Sequence, residues 1–140
     1  MPFTRISIPE HRLEGWQNAI STVLQDALVT TFSVPKDDCF QLFEPVNPGQ
    51  RVINPTYLAG PDSRRSDDFL LFHITAGKPR DAGQKSALYR YLNEKLHAEI
   101  GIDPADIMVV VNFTQPEDWS FSHGDVFRVA AISRSEGGKL

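Results

Sequence analysis

The sequence predicts an α+β domain: two tandem β-α-β units forming a four-stranded mixed sheet, with both helices on one face. Three observations predict it. Apolar strand-like runs alternate with two stretches of helical periodicity, in the order strand, helix, strand, twice over. Each unit places a Pro-x-Asp turn just before its second strand, Pro35-Lys36-Asp37 in the first and Pro104-Ala105-Asp106 in the second, about half a chain apart. The 140 residues are 41% hydrophobic and 23% charged, the composition of one globular domain with its own core. Residues 1–140 therefore read as a single domain, with pseudo-repeats 1–60 and 61–132 and a mobile tail at 133–140.

Residues 3–8 read as the first strand, with Phe3, Ile6 and Ile8 apolar. Ser7 with Glu10 gives a capping signature for the first helix, and Pro9 suits a first turn. Leu13, Trp16, Ile20, Val23, Leu24, Ala27 and Leu28 recur at spacings of three and four, an amphipathic helix of about 20 residues. It ends near Phe32, because Pro35 disfavours helix at Val34. Residues 39–43 form a short strand closed by Pro45, Pro48 and Gly49. Residues 44–66, rich in Pro, Gly, Asn and Ser, read as a hairpin or long loop with a short strand at 51–53.

Residues 68–75 are a clear strand and 76–80 a turn. Asp81 with Gln84 repeats the capping signature. Leu88, Tyr91, Leu92, Leu96 and Ile100 give the second helix, and Gly101 stops it. Residues 107–113 are apolar enough for a strand of the buried type. Residues 115–124 are irregular, and 126–132 read as a last strand. Helices on one side leave the other sheet face bare. A bare apolar face calls for cover, which oligomerisation commonly supplies.

A net charge of −4 and a pI near 5.5 exclude a broadly basic surface, so neither nucleic acid nor an anionic membrane is expected as partner. The one cysteine, Cys39, forms no internal disulfide and reads as a small core residue, so the expected compartment is the cytoplasm. No run approaches the ~18 apolar residues of a membrane span. The start lacks the basic-then-apolar pattern of a signal peptide. His11, His73, His97 and His123 are scattered, without metal-ligand spacing. His11 and His97 fall on helix surfaces and read as solvated, and His73 as packed in a strand. Gly77-Lys78-Pro79-Arg80 matches no nucleotide loop, and no cofactor is expected.

The start of the chain carries the most distinctive chemistry. Methionine before a small residue is commonly trimmed, which would leave Pro2 as a free secondary amine. An α-amino group titrates at about 7.7–8.0, so surroundings can tune it to act as acid, base or nucleophile. A strand would hold it rigidly. The same two residues also begin chains with no such chemistry. Lys78 and Arg80, at the start of the second helix, read either as an anion site beside helix amides or as a solvated turn. Asp37 and Asp38 read as turn residues. Trp119 and Phe121 are an alternating aromatic pair that core packing would also explain.

Together these features resemble the tautomerase superfamily, and within it the malonate semialdehyde decarboxylase group. The resemblance rests on Pro2 after Met1, the doubled β-α-β order, the Gly77–Lys85 segment and Glu117-Asp118-Trp119-Ser120-Phe121. It runs from Pro2 to about Phe127. It implies a catalytic amine at Pro2, an aspartate beside it at Asp38 that can orient a water, and a carboxylate-holding arginine at Arg80. The family's other arginine position is Lys78 here, which keeps the charge and loses the planar fork. Trp119 and Phe121 match residues of a hydrophobic wall. The implied reaction is decarboxylation of a small anionic oxo acid, with keto–enol tautomerisation, or hydration or dehalogenation of a small unsaturated acid, as alternatives. The implied assembly is a homotrimer. The reading outside catalysis is a small-molecule binder that keeps Met1.

Overall fold

Alternation decides which way each strand faces. In β1 (Pro2–Pro9), Thr4, Ile6 and Ile8 are buried, while Phe3, Arg5 and Ser7 turn to the opposite side. In β3 (Leu70–Ala76), Leu70, Phe72, Ile74 and Ala76 are buried and His73 is exposed. The structure is a computed structural model describing residues 1–129. The remaining elements are α1 (Leu13–Phe32), β2 (Gln41–Val46), α2 (Ala82–Ile100) and β4 (Ile107–Phe113). The sheet order is β2-β1-β3-β4. β1 runs parallel to β2 and β3 parallel to β4, and the two units join through an antiparallel β1–β3 pair. This is the mixed sheet expected from sequence.

The core lies between the sheet and both helices. Ile20, Leu24, Ala27 and Leu28 of α1 and Leu88, Leu92 and Leu96 of α2 join Ile6, Ile8, Phe72 and Ile74 in one cluster. Asp81 and Gln84 form the full reciprocal capping box at the start of α2. Gly101 closes α2 at φ 70°, a left-handed position that glycine adopts without strain. No helix among the described residues is long and apolar enough to cross a membrane.

Several expectations are corrected. Ser7 does not cap a helix: it stays in β1, and its hydroxyl accepts from Arg51 at 2.8 Å. α1 instead follows a single 3-10 turn, Glu10–Arg12, without a side-chain cap. Residues 51–53 form no strand. β4 is an edge strand of alternating exposure, because Met108, Val110 and Asn112 face the side without helices. That open face is not simply apolar. Arg5 is clamped by Glu44 at 3.0 and 2.7 Å, and His73 and Thr75 both reach Asn112 Oδ1 at 3.0 Å. His73 is thus exposed rather than packed. Cys39 is exposed rather than a core residue, since the lead-in to β2 runs over the surface. Residues 126–128 are irregular rather than strand. The rest of that expected strand and the tail at 133–140 lie outside the described residues.

Candidate active site

The topology collects six chain segments at one end of the sheet. Pro2 at the start of β1 pairs with Ala76 at the end of β3. Thr4 N–H bonds the carbonyl of Phe40, which anchors the lead-in to β2. Thr114, just past β4, donates its N–H to the Ala76 carbonyl at 2.9 Å. α1 ends here and α2 begins here, joined by Arg80, whose Nη2 donates to the Phe32 carbonyl at 2.7 Å.

Asp38 stands against the amino terminus. Its Oδ2 is 2.9 Å from the Met1 amine, and both groups are largely shielded from water. The Pro35 turn sets its position, with Asp38 N–H on the Pro35 carbonyl at 3.0 Å, and Gln25 donates to the Asp38 carbonyl at 3.1 Å. The other carboxylate oxygen, Oδ1, is buried without a hydrogen-bond partner among the described residues, as is the Thr4 hydroxyl. An unmet buried acceptor is costly, so Asp38 Oδ1 is suited to receive a donor. Pro2 is buried. Its nitrogen lies three bonds from the Met1 amine, and so within about 6–7 Å of Asp38.

Met1 has fixed contacts of its own. Its carbonyl accepts from Gly77 N–H at 3.1 Å. Its side chain lies over Gly77, where an added Cβ would overlap Met1 Cε and come within 3.0 Å of Trp119 Nε1.

Arg80 is half-buried. Its guanidinium lies 4.9 Å over the Phe32 ring and also donates to the Lys78 carbonyl. Burial pulls its pKa below the ordinary arginine value, and the negative charge of Asp38 acts the other way. Arg80 therefore lies within electrostatic reach of Asp38. Two of its nitrogens make assigned bonds, which leaves part of the five-donor fork for a ligand. The Lys78 side chain is exposed and only its carbonyl meets Arg80, so the two cations do not form one clamp in the single chain.

Trp119 and Phe121 come together as a wall. Their rings stack at 5.6 Å and 14°, and Trp119 Nε1 donates to Thr114 Oγ1 at 2.6 Å. Phe40 and Phe127 complete the aromatic group, with ring centroids 5.6 and 5.5 Å from that of Phe121. Sequence reasoning missed Phe40, Phe127, Thr114 and Gly77. Phe40 lies two residues after Asp38 in the lead-in to β2, and its closeness to Asp38 in sequence could have flagged it. Nothing local marks the other three. Among the described residues no His, Cys, Asp and Glu side chains gather in a group able to hold a metal ion.

A family model described as tautomerase enzyme matches residues 38–122. The chain is 32% identical over 124 residues to the probable tautomerase YusQ of Bacillus subtilis, covering 89% of this chain and 95% of that protein. It is 28% identical to the probable tautomerase YrdN of the same organism, covering 89% and 94%. Among solved structures it resembles malonate semialdehyde decarboxylase, studied for its decarboxylase and hydratase activities, with TM-score 0.80, 25% identity and 99% of each chain covered. It shares its fold with a fused 4-OT symmetric trimer at TM-score 0.70 and 18% identity, covering 89% of this chain and 94% of that one.

Proposed function

The chain belongs to the tautomerase superfamily, and we propose that it is an amino-terminal-proline enzyme that decarboxylates a small oxo acid in the manner of malonate semialdehyde decarboxylase. The observation that carries the reading is the buried pairing of the chain's amine with Asp38 at 2.9 Å, beside an aromatic wall. With Met1 removed, the amine belongs to Pro2. A nearby carboxylate favours the cationic form of an amine. A cationic Pro2 polarises the carbonyl β to the leaving carboxylate; in the covalent route the neutral amine attacks that carbonyl and loss of water leaves the cationic iminium. Either is an electron sink for the breaking carbon–carbon bond. Arg80 holds the substrate carboxylate with its remaining donors, and Lys78 adds positive charge at the rim. Trp119 and Phe121 exclude water. Asp38 orients a water where the reaction ends in hydration.

Keto–enol tautomerisation is the second reading, favoured by the likeness to the probable tautomerase YusQ. It uses a neutral Pro2 as the base. The pH dependence of turnover on malonate semialdehyde and on phenylenolpyruvate separates the two. Decarboxylation by a cationic Pro2 should fall as pH rises through the amine's pKa, and tautomerisation should rise. Pro2→Ala should abolish either. A Pro2→Ala protein with full activity would reject the proline mechanism in both readings, and an intact natural protein whose mass includes Met1 would favour a non-catalytic binder. The working assembly is a homotrimer in the cytoplasm, with the open sheet face, including Leu42, Met108 and Val110, against a neighbouring subunit. Nucleic acid and membrane are not partners, and no cofactor is used.

A further inference from the structure

We propose that the backbone N–H of Gly77 is a catalytic group, holding the oxygen of the carbonyl compound engaged by Pro2. The absent side chain of Gly77 makes room for that compound's tail. The inference rests on the amino-terminal-proline reading above.

Met1 carries it. Its carbonyl carbon is bonded to the Pro2 nitrogen, as a substrate carbon would be after attack by that nitrogen. Its contacts therefore stand in for those of a bound carbonyl compound. The oxygen takes the Gly77 N–H at 3.1 Å. The arm ending in the amine meets Asp38 at 2.9 Å. The apolar arm lies over Gly77, beside Trp119. An oxygen donor and an apolar floor thus converge on one carbon, whereas the cationic amine arm on Asp38 has no counterpart in an anionic oxo acid.

The donor is preorganised. Ala76 is held in register opposite Pro2, and its carbonyl accepts from Thr114 N–H at 2.9 Å, which fixes the peptide before Gly77. Gly77 is buried. Once Met1 is removed, its N–H points where Met1's oxygen lay, and a fixed donor aimed at developing charge needs no reorganisation. In the covalent route, the neutral Pro2 nitrogen attacks the carbonyl carbon and the N–C bond forms. The C=O π pair moves to oxygen, which accepts the Gly77 N–H. The proton on the new ammonium then passes to that oxygen, giving a neutral carbinolamine. No outside reagent is required.

The test uses full-length 15N-labelled protein whose mass confirms loss of Met1, with pyruvate as a saturating carbonyl probe. The Gly77 amide should shift downfield and exchange with solvent at least ~10-fold more slowly when pyruvate is bound. Gly77→Ala keeps the N–H and fills the floor. It should weaken binding of phenylpyruvate, offered as a substrate analogue, at least ~10-fold more than that of pyruvate, because the bulkier tail meets the new methyl. If pyruvate shifts the amides around Pro2 while Gly77 exchange is unchanged, the inference is wrong and the proline reading stands. Equal losses for the two ligands would overturn the floor. If pyruvate shifts nothing near Pro2 and Pro2→Ala retains activity, the proline reading fails and takes this inference with it.

Discussion

Arg80→Met should destabilise the fold by about 2 kcal/mol, because Arg80 closes α1 as well as belonging to the proposed site. The last turn of α1 contains no basic residue, and Ser33 ends it in a left-handed conformation at φ 57°. Arg80, 48 residues further along the chain, supplies the missing cation, with Nη2 on the Phe32 carbonyl at 2.7 Å and the guanidinium 4.9 Å over the Phe32 ring. A charge-assisted hydrogen bond contributes about 1.5–3 kcal/mol, and cation–π contact about 0.5–1. A cation at a helix C-terminus adds about 0.3–1 kcal/mol. These describe one group and do not add. Burial of the guanidinium opposes them, which its lowered pKa reflects, and so the lower end applies. Urea unfolding at fixed protein concentration should show a reduced midpoint and an unchanged slope, and Tm should fall by about 6–8 °C. Arg80→Lys keeps the charge but not the fork and should lose about 1 kcal/mol. An Arg80→Met protein within about 0.5 kcal/mol of the parent would refute the capping role and leave Arg80 to the site alone.

Asp106 is 2% exposed and accepts Ser66 N–H and Oγ–H at 2.7 and 2.6 Å. Asp106→Ala should therefore lose about 2–3 kcal/mol in denaturant unfolding, and Ser66→Ala about 1. Hydrogen bonds from Arg12 hold the Asp68 carboxyl below its ordinary pKa of 3.8, against an opposing effect of burial. Its contribution, about 1 kcal/mol, is complete above the unfolded value and disappears as pH falls through the lower folded one. Asp68→Asn should thus be less stable at neutral pH and should converge on the parent as pH falls through the lowered folded value in urea titrations. Gly101→Ala forces a side chain into the left-handed cap of α2 and should lower stability by about 1 kcal/mol, read as a drop in Tm.

The sequence by itself determined the elements whose cause is local. The spacing from Leu13 to Leu28 made α1, Asp81 with Gln84 capped α2, Gly101 ended it, and the doubled element order announced the mixed sheet. The resemblance picked out Pro2, Asp38, Arg80, Trp119 and Phe121, but not their geometry. Tertiary structure alone decided the 2.9 Å pairing of Asp38 with the Met1 amine, that Arg80 turns back onto the end of α1, and that Gly77 lies under Met1. It also decided that Ser7 serves Arg51 instead of a helix, and that one side of β4 is open. The reason is physical. Periodicity, capping and turn chemistry act over a few residues and can be read in order along a chain. Contacts between segments tens of residues apart depend on strand register, which sequence patterning constrains only to the correct face.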